Sequence, residues 1–346
     1  MKNLIHAARW AAACACIAAT AAVPAPKAAV SGWVLVDLGT LGGPGSYGSA
    51  VSDAGVVVGC SDVNPTGVHA FAWRDGRMQD LGTATESSEG NSCALAVNEK
   101  GLVAGRAATG ELVIWNGKSV TRLGVHGNVA GINDDGVVAG SYSDTGRTRG
   151  FIYREGVLHD VGALGNDSDP SSSTTATGIN AKGEVVGSSN GRAFLYSGGA
   201  LRDLGSLGGN NSVAKGINDR GQVVGFSANA HGQPSPFFYD GTMRALPGDA
   251  FSEAVAINNR VQIVGSGEGR YGFLVADGQV TALDLLPSVR AKGWHHLEPT
   301  GLNDHGWIVG TAMNAQGDSR AFLLMPRSLG AWTQASASAT EAKGRE

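Results

Sequence analysis

The sequence predicts an all-β fold built from seven copies of a four-stranded antiparallel unit. Three observations lead there. The apolar runs between the two ends of the chain are too short for helices and alternate with period two. A glycine closing the second run recurs at Gly59, Gly105, Gly140, Gly187, Gly225, Gly265 and Gly310, at intervals averaging about 42 residues, the spacing expected of four-stranded propeller blades. Each copy also repeats one order of turn residues. Gly makes up 53 of 346 residues, and because the glycines keep fixed places they mark turns rather than low complexity.

Copy five shows the unit most plainly. A linker with Gly208 and Gly209 enters a first run that ends at Gly216-Ile217-Asn218, and a second run closes at Val223-Val224-Gly225. Phe237-Phe238-Tyr239 is the third run, and residues 243–246, after Gly241, are the fourth. First-run residues are small, as in Ala94, Ala96, Ala130, Gly131, Ala176 and Gly178. That places this run innermost, around a central channel with the least room for side chains. It ends in Asn98, Asn133, Asn180, Asn218, Asn258 and Asn303, with Ser52 in copy one. Three residues on comes Gly55, Gly101, Gly136, Gly183, Gly221 or Gly306. An Asx turn closed by a positive-φ glycine explains both residue types at that spacing, so the asparagines are turn residues and not an active site. Copy six carries Val261 in place of the glycine and is expected to turn in another conformation.

The third run carries large residues at i and i+2: Phe71 and Trp73, Phe151 and Tyr153, Phe194 and Tyr196, Phe237 and Tyr239. Weaker matches are Val113 and Trp115, Phe273 and Val275, and Phe322 and Leu324. Such a pair points to one face of a sheet, where it fills the core between blades. Residues 33–39 match a fourth run and residues 321–324 a third, so the two ends of the repeat region are expected to complete one blade together. Three-plus-one closure removes free sheet edges. The prediction is one seven-bladed antiparallel β-propeller over residues 33–326, closed by the N-terminal strand pairing with the C-terminal blade.

Residues 1–25 are expected to be a signal peptide. Lys2 and Arg9 precede an Ala-rich apolar core from Trp10 to Val23, too short for a membrane span, with cleavage expected at about 21–25. The mature chain is then secreted, periplasmic or extracellular, and has no transmembrane segment. Residues 327–346 are rich in Ser, Ala, Thr and charge and are expected to form a disordered tail. A net charge of −4 without a basic run excludes the footprint of a nucleic-acid binder.

His69-Ala70-Phe71, followed by Trp73 and Met78-Gln79-Asp80-Leu81-Gly82, resembles the HAF-type extracellular repeat, as does Asp37-Leu38-Gly39-Thr40-Leu41-Gly42-Gly43. The resemblance spans residues 33–326, strongest in copies one, four and five and weakest in copies two and six. It implies an exported bacterial repeat protein, and it carries no assigned catalytic residues.

Chemistry-bearing motifs are few. Two G-x-G-x-x-G matches, beginning at Gly43 and Gly267, open no helix, and the G-x-S-x-G match at Gly187 lacks a strand-to-helix elbow. Loop lengths say more: the turns after first and third runs are nearly constant, while the links after second runs and between copies vary. Alternating strand direction puts both variable sets on one face, where binding is expected. The longest link there, residues 284–299, holds Trp294, His295, His296 and Glu298, and Glu253 occupies the position of Glu298 in the preceding copy. These five are the candidate ligand site: a sugar ring stacked on Trp294 and held by the carboxylates, or a divalent cation held through Glu and His. Cys60 and Cys93, the two cysteines left after processing, are expected to pair as a disulfide between adjacent copies at the variable face. The functional expectation is a monomeric, non-enzymatic binding or scaffold module for a polysaccharide or a cell-envelope protein, without a cofactor. Glycoside cleavage at the channel mouth is the alternative, weakened because the first runs offer only one neighbouring pair of carboxylates. A structural surface protein without a ligand is the third.

Overall fold

The computed structural model describes residues 32–63, 67–87, 89–247, 251–267 and 271–327. The expected signal peptide, and the expected tail beyond Arg327, lie outside the described residues. The fold is all-β, with 27 strands and two short helical turns, Leu283–Leu285 and Pro287–Arg290, among the described residues. No helix among them is long and apolar enough to cross a membrane.

Copies one, four, five and six each pair as a four-stranded antiparallel meander in sequence order. Copy seven contributes three strands, His295–Leu302, Ile308–Met313 and Ser319–Pro326. Its fourth is the N-terminal strand Trp33–Asp37, in register from Trp33 opposite Pro326 to Asp37 opposite Phe322. Copies two and three differ from the expected separate sheets. One strand of 14 residues, Ser119–Ile132, is both the last strand of copy two and the first of copy three, which joins them into a seven-stranded sheet. The cause is legible in the spacing: from Gly105 to Gly140 is the shortest interval in the chain, and no residues remain for a loop.

Every first strand contains a bulge, seen as register shifts such as Gly48/Ala50, Ala176/Gly178 and Ala214/Gly216. The bulge presses a first-strand carbonyl onto the recurring glycine of the second strand. A Cβ on Gly225 would collide with the backbone oxygen of Val213 and come within 3.0 Å of the Phe237 ring. The same collision, with the equivalent carbonyl, meets any side chain at the other six glycines. That is why this position recurs through copies that share little else. Beneath it lie Phe71, Phe151, Phe194, Phe237, Phe273 and Phe322, all fully buried, with Val113 and Trp115 in their place in copy two. Each such phenylalanine contributes up to about 3 kcal/mol by burial.

Val261 corrects an expectation. It takes the same turn as the glycines, with its N–H donating to Asn258 O at 3.1 Å and φ at 61°, a left-handed conformation that is costly for a β-branched residue. Cys60 and Cys93 form a disulfide with Cα atoms 4.9 Å apart, stapling the second strand of copy one to the first strand of copy two.

Candidate functional site

The seven first strands converge on one cavity of about 260 Å³, lined by their C-terminal apolar residues (Val51, Ile132, Ile217) and the turn residues that follow. The two ends of these strands have opposite characters. At the turn end, each asparagine is buried and does two jobs. Asn218 Oδ1 accepts from the N–H groups of Arg220 and Gln222, both at 3.1 Å, which is the Asx turn. Its Nδ2 donates to Asn258 O in the next copy at 3.1 Å. The same donation runs from Asn98 to Asn133, Asn133 to Asn180, Asn180 to Asn218, Asn258 to Asn303 and Asn303 to Ser52, at 2.9 to 3.4 Å. In copy one the Ser52 hydroxyl instead accepts from the Val56 N–H at 3.3 Å. Glu99 makes the link between copies one and two, accepting from the N–H groups of Asp53 and Ala54 at 2.7 Å each.

A second tier of bonds lies beside the first. Glu99 N–H donates to Asp134, Ala181 to Asp219, Asp219 to Asn259, Asn259 to Asp304 and Asp304 to Asp53. The carboxylates around the cavity mouth are therefore acceptors for neighbouring backbone. Sequence reasoning found the turn but missed this belt between copies. The signal lay in the Asp, Asn or Glu that follows the turn residue in six of seven copies, at 53, 99, 134, 219, 259 and 304.

At the other end of the first strands, the residue one before the partner of the recurring glycine is Tyr47, Cys93, Asn128, Thr175, Val213, Glu253 or Glu298. One backbone position thus presents seven largely different side chains. Glu253 and Glu298 occupy equivalent places in neighbouring copies, as their spacing predicts, and Tyr47 follows Glu298 in the next copy round. Lys215 reaches Glu253 at 3.4 Å, with both side chains about one-third exposed, a pair of the kind that contributes little to stability. The His295 and His296 rings lie 5.0 Å apart, and His296 is 6.1 Å from the exposed ring of Tyr271.

Trp294 is the correction at this site. Its side chain is buried among Leu283, Leu286, Val289 and Leu297, in the same core cluster as Leu35 of the N-terminal strand. The indole is core and offers no face to a sugar. The long link acts as a brace instead: Lys292 Nζ donates to Leu35 O at 2.9 Å. Among the described residues, Tyr47 and Tyr271, 42% and 52% exposed, are the tyrosine rings exposed at this end. No group of three or more His, Cys, Asp or Glu side chains among the described residues is placed to hold a metal ion. The divalent-cation alternative for Glu253, Glu298, His295 and His296 therefore has no geometric support.

Shifted ionisations cluster elsewhere, in copy three and the link after it. Burial, then the carboxylates of Asp160 and Asp144, push the Tyr142 hydroxyl above the ordinary tyrosine range. Burial opposes the charge on Arg149, but hydrogen bonds and charge from Asp160 and Asp167 outweigh it and raise the pKa. Ser171 donates to Asp169 through its N–H and hydroxyl and holds that carboxyl below the usual range.

No protein-family model matches the chain, and no curated protein does. Among solved structures, the β-propeller domain of the trilobed protease from Pyrococcus furiosus is similar at 12% identity and a TM-score of 0.47, over 80% of this chain and 95% of that one. TolB from Acinetobacter baumannii is similar at 12% identity and a TM-score of 0.44, over 83% of this chain and 66% of TolB. Aleuria aurantia lectin matches at 8% identity and a TM-score of 0.34, over 85% of this chain and all of the lectin chain.

Proposed function

We propose that this chain is an exported seven-bladed β-propeller of the HAF-repeat type, closed into a ring, that acts as a non-enzymatic binding module for a polysaccharide. One contrast carries the proposal. The belt end repeats the same hydrogen bonds from copy to copy, while the other end of the same strands varies its side chain at one register position. A rigid scaffold with a variable rim is the usual arrangement for recognition. Tyr47 supplies an exposed ring for stacking, and Glu253, Glu298 and Lys215 supply hydrogen-bonding groups for hydroxyls.

The test is a glycan array with the mature protein, repeated with Tyr47→Ala and Glu298→Gln. The expected result is retention on a defined polysaccharide that Tyr47→Ala abolishes and Glu298→Gln weakens by about 1–3 kcal/mol, with melting temperatures unchanged. Retention by an envelope protein and by no glycan would assign a protein partner. Binding that both variants retain would move the site away from this rim.

A further inference from the structure

On the belt face a second cavity, of about 410 Å³, opens between copies four and five. Its floor includes the buried side chains of Leu195 and Tyr239, and three cations line it: Lys182, Arg202 and Arg220. Two carboxylates, Glu184 and Asp240, line it as well, and both have partners. Glu184 accepts from Asn180 Nδ2 at 2.7 Å and from Ser197 Oγ at 3.0 Å, and Asp240 pairs with Arg244 at 2.6 Å. Arg220 donates to the backbone oxygen of Asn259. Lys182 and Arg202 have no ion pair and no side-chain hydrogen bond among the described residues. Three cations against two carboxylates leave the lining with a net positive charge, in a chain whose net charge is −4.

Arg202 is also held in place. Its guanidinium lies 5.7 Å from the centroid of the Tyr239 ring, a cation–π contact that fixes it without using its N–H donors. The position is particular to copy four. Arg202 pairs with Leu195, and the same register elsewhere carries Gln79, Thr121, His159, Thr281 and Val36, with one other arginine, Arg244, that is bound to Asp240. A planar fork of free donors fits the two oxygens of a carboxylate or sulfate. The volume lies in the range of sites for small ring-shaped ligands, which combine an apolar floor with a few polar groups.

We propose that this cleft binds an acidic saccharide unit, its carboxylate or sulfate held by Arg202 and Lys182 and its ring seated on the Tyr239 and Leu195 floor. The choice of a saccharide rests on the binding-module function proposed above, while the anion preference rests on the cleft alone. The experiment is calorimetric titration of the mature protein with a short oligogalacturonate, a sulfated oligosaccharide, a neutral glucan oligomer and a poly-aspartate peptide. Wild type, the Lys182→Gln/Arg202→Gln double variant and Tyr47→Ala are compared, with melting curves as the control for folding. Binding of the oligogalacturonate or the sulfated sugar should weaken at least about tenfold in the double variant, fall with added salt, and be unchanged in Tyr47→Ala. The neutral oligomer should show no dependence on Lys182 or Arg202. Failure of both acidic sugars to bind, or equal affinity in the double variant, overturns the proposal while leaving the rim site standing. Equal binding of poly-aspartate overturns the saccharide assignment.

Discussion

The belt of asparagines gives the most direct test of how the copies hold together. Asn218→Ala removes an amide that is 4% exposed. Its Oδ1 accepts two N–H groups, Arg220 and Gln222, and its Nδ2 serves Asn258 O in the next copy. Two backbone N–H groups lose their partner at once, Gln222 Oε1 loses a donor at 2.8 Å, and Asn258 O is left with the Val261 N–H alone. A hydrogen bond contributes about 0.5–1.5 kcal/mol net, and a group left buried and unpaired costs more. Because Arg220 is exposed, water can replace part of the loss, and the expected destabilisation is about 2–4 kcal/mol. At about 2 °C per kcal/mol for a unit of this size, the melting temperature should fall by about 4–8 °C. Asn128→Ala is the matched control. That side chain is exposed at the variable end, and its loss should stay within about 0.5 kcal/mol. Scanning calorimetry of the two variants decides the matter. If Asn218→Ala melts within about 1 °C of wild type, or no lower than Asn128→Ala, the belt does not couple the copies and the asparagines are local turn residues only.

Trp294→Ala should destabilise by about 3–5 kcal/mol, because the indole packs with Val289, Leu297 and Leu35; a variant that melts like wild type would return Trp294 to the surface. Val261→Gly should stabilise by up to about 1 kcal/mol, the relief of a left-handed β-branched residue, about 1–2 kcal/mol, outweighing the entropy that glycine loses on folding. The urea midpoint measures this, and a fall would show that the packing of Val261 against its neighbours outweighs its backbone strain. Converting Cys60 and Cys93 to serine opens a loop of 33 residues and should cost up to about 4 kcal/mol. An unchanged midpoint, together with two free thiols in the wild-type protein, would remove the staple.

The repeat was legible because its constraints are local and recur. The glycine of the second strand faces a bulged carbonyl in every copy, and the third-strand phenylalanine lies beneath it, so both leave a periodic trace. The partner of the N-terminal strand was legible for the same reason, since residues 33–39 carry the pattern of a fourth run that has no first three runs before it. Where a residue's role depends on contacts between copies, the trace is weaker. An asparagine that makes an Asx turn and one that also bonds the next copy look alike in sequence. Only the acceptor that follows it, at Asp134 or Asp219 for example, hints at the second task. Val261 misled because the absence of glycine suggested a different turn, whereas the flanking bonds around Asn258 impose the common one at a cost in φ. Trp294 misled because an indole in the longest link of the variable face suggests display, and its burial follows from a fact no local pattern records. The link folds back on the strand that the N-terminal end of the repeat region supplies, where Lys292 meets Leu35. A tryptophan placed there packs at the joint where the N-terminal strand pairs with the C-terminal strand of copy seven. Side chains at the rim are therefore freer to diverge than those of the link beside them.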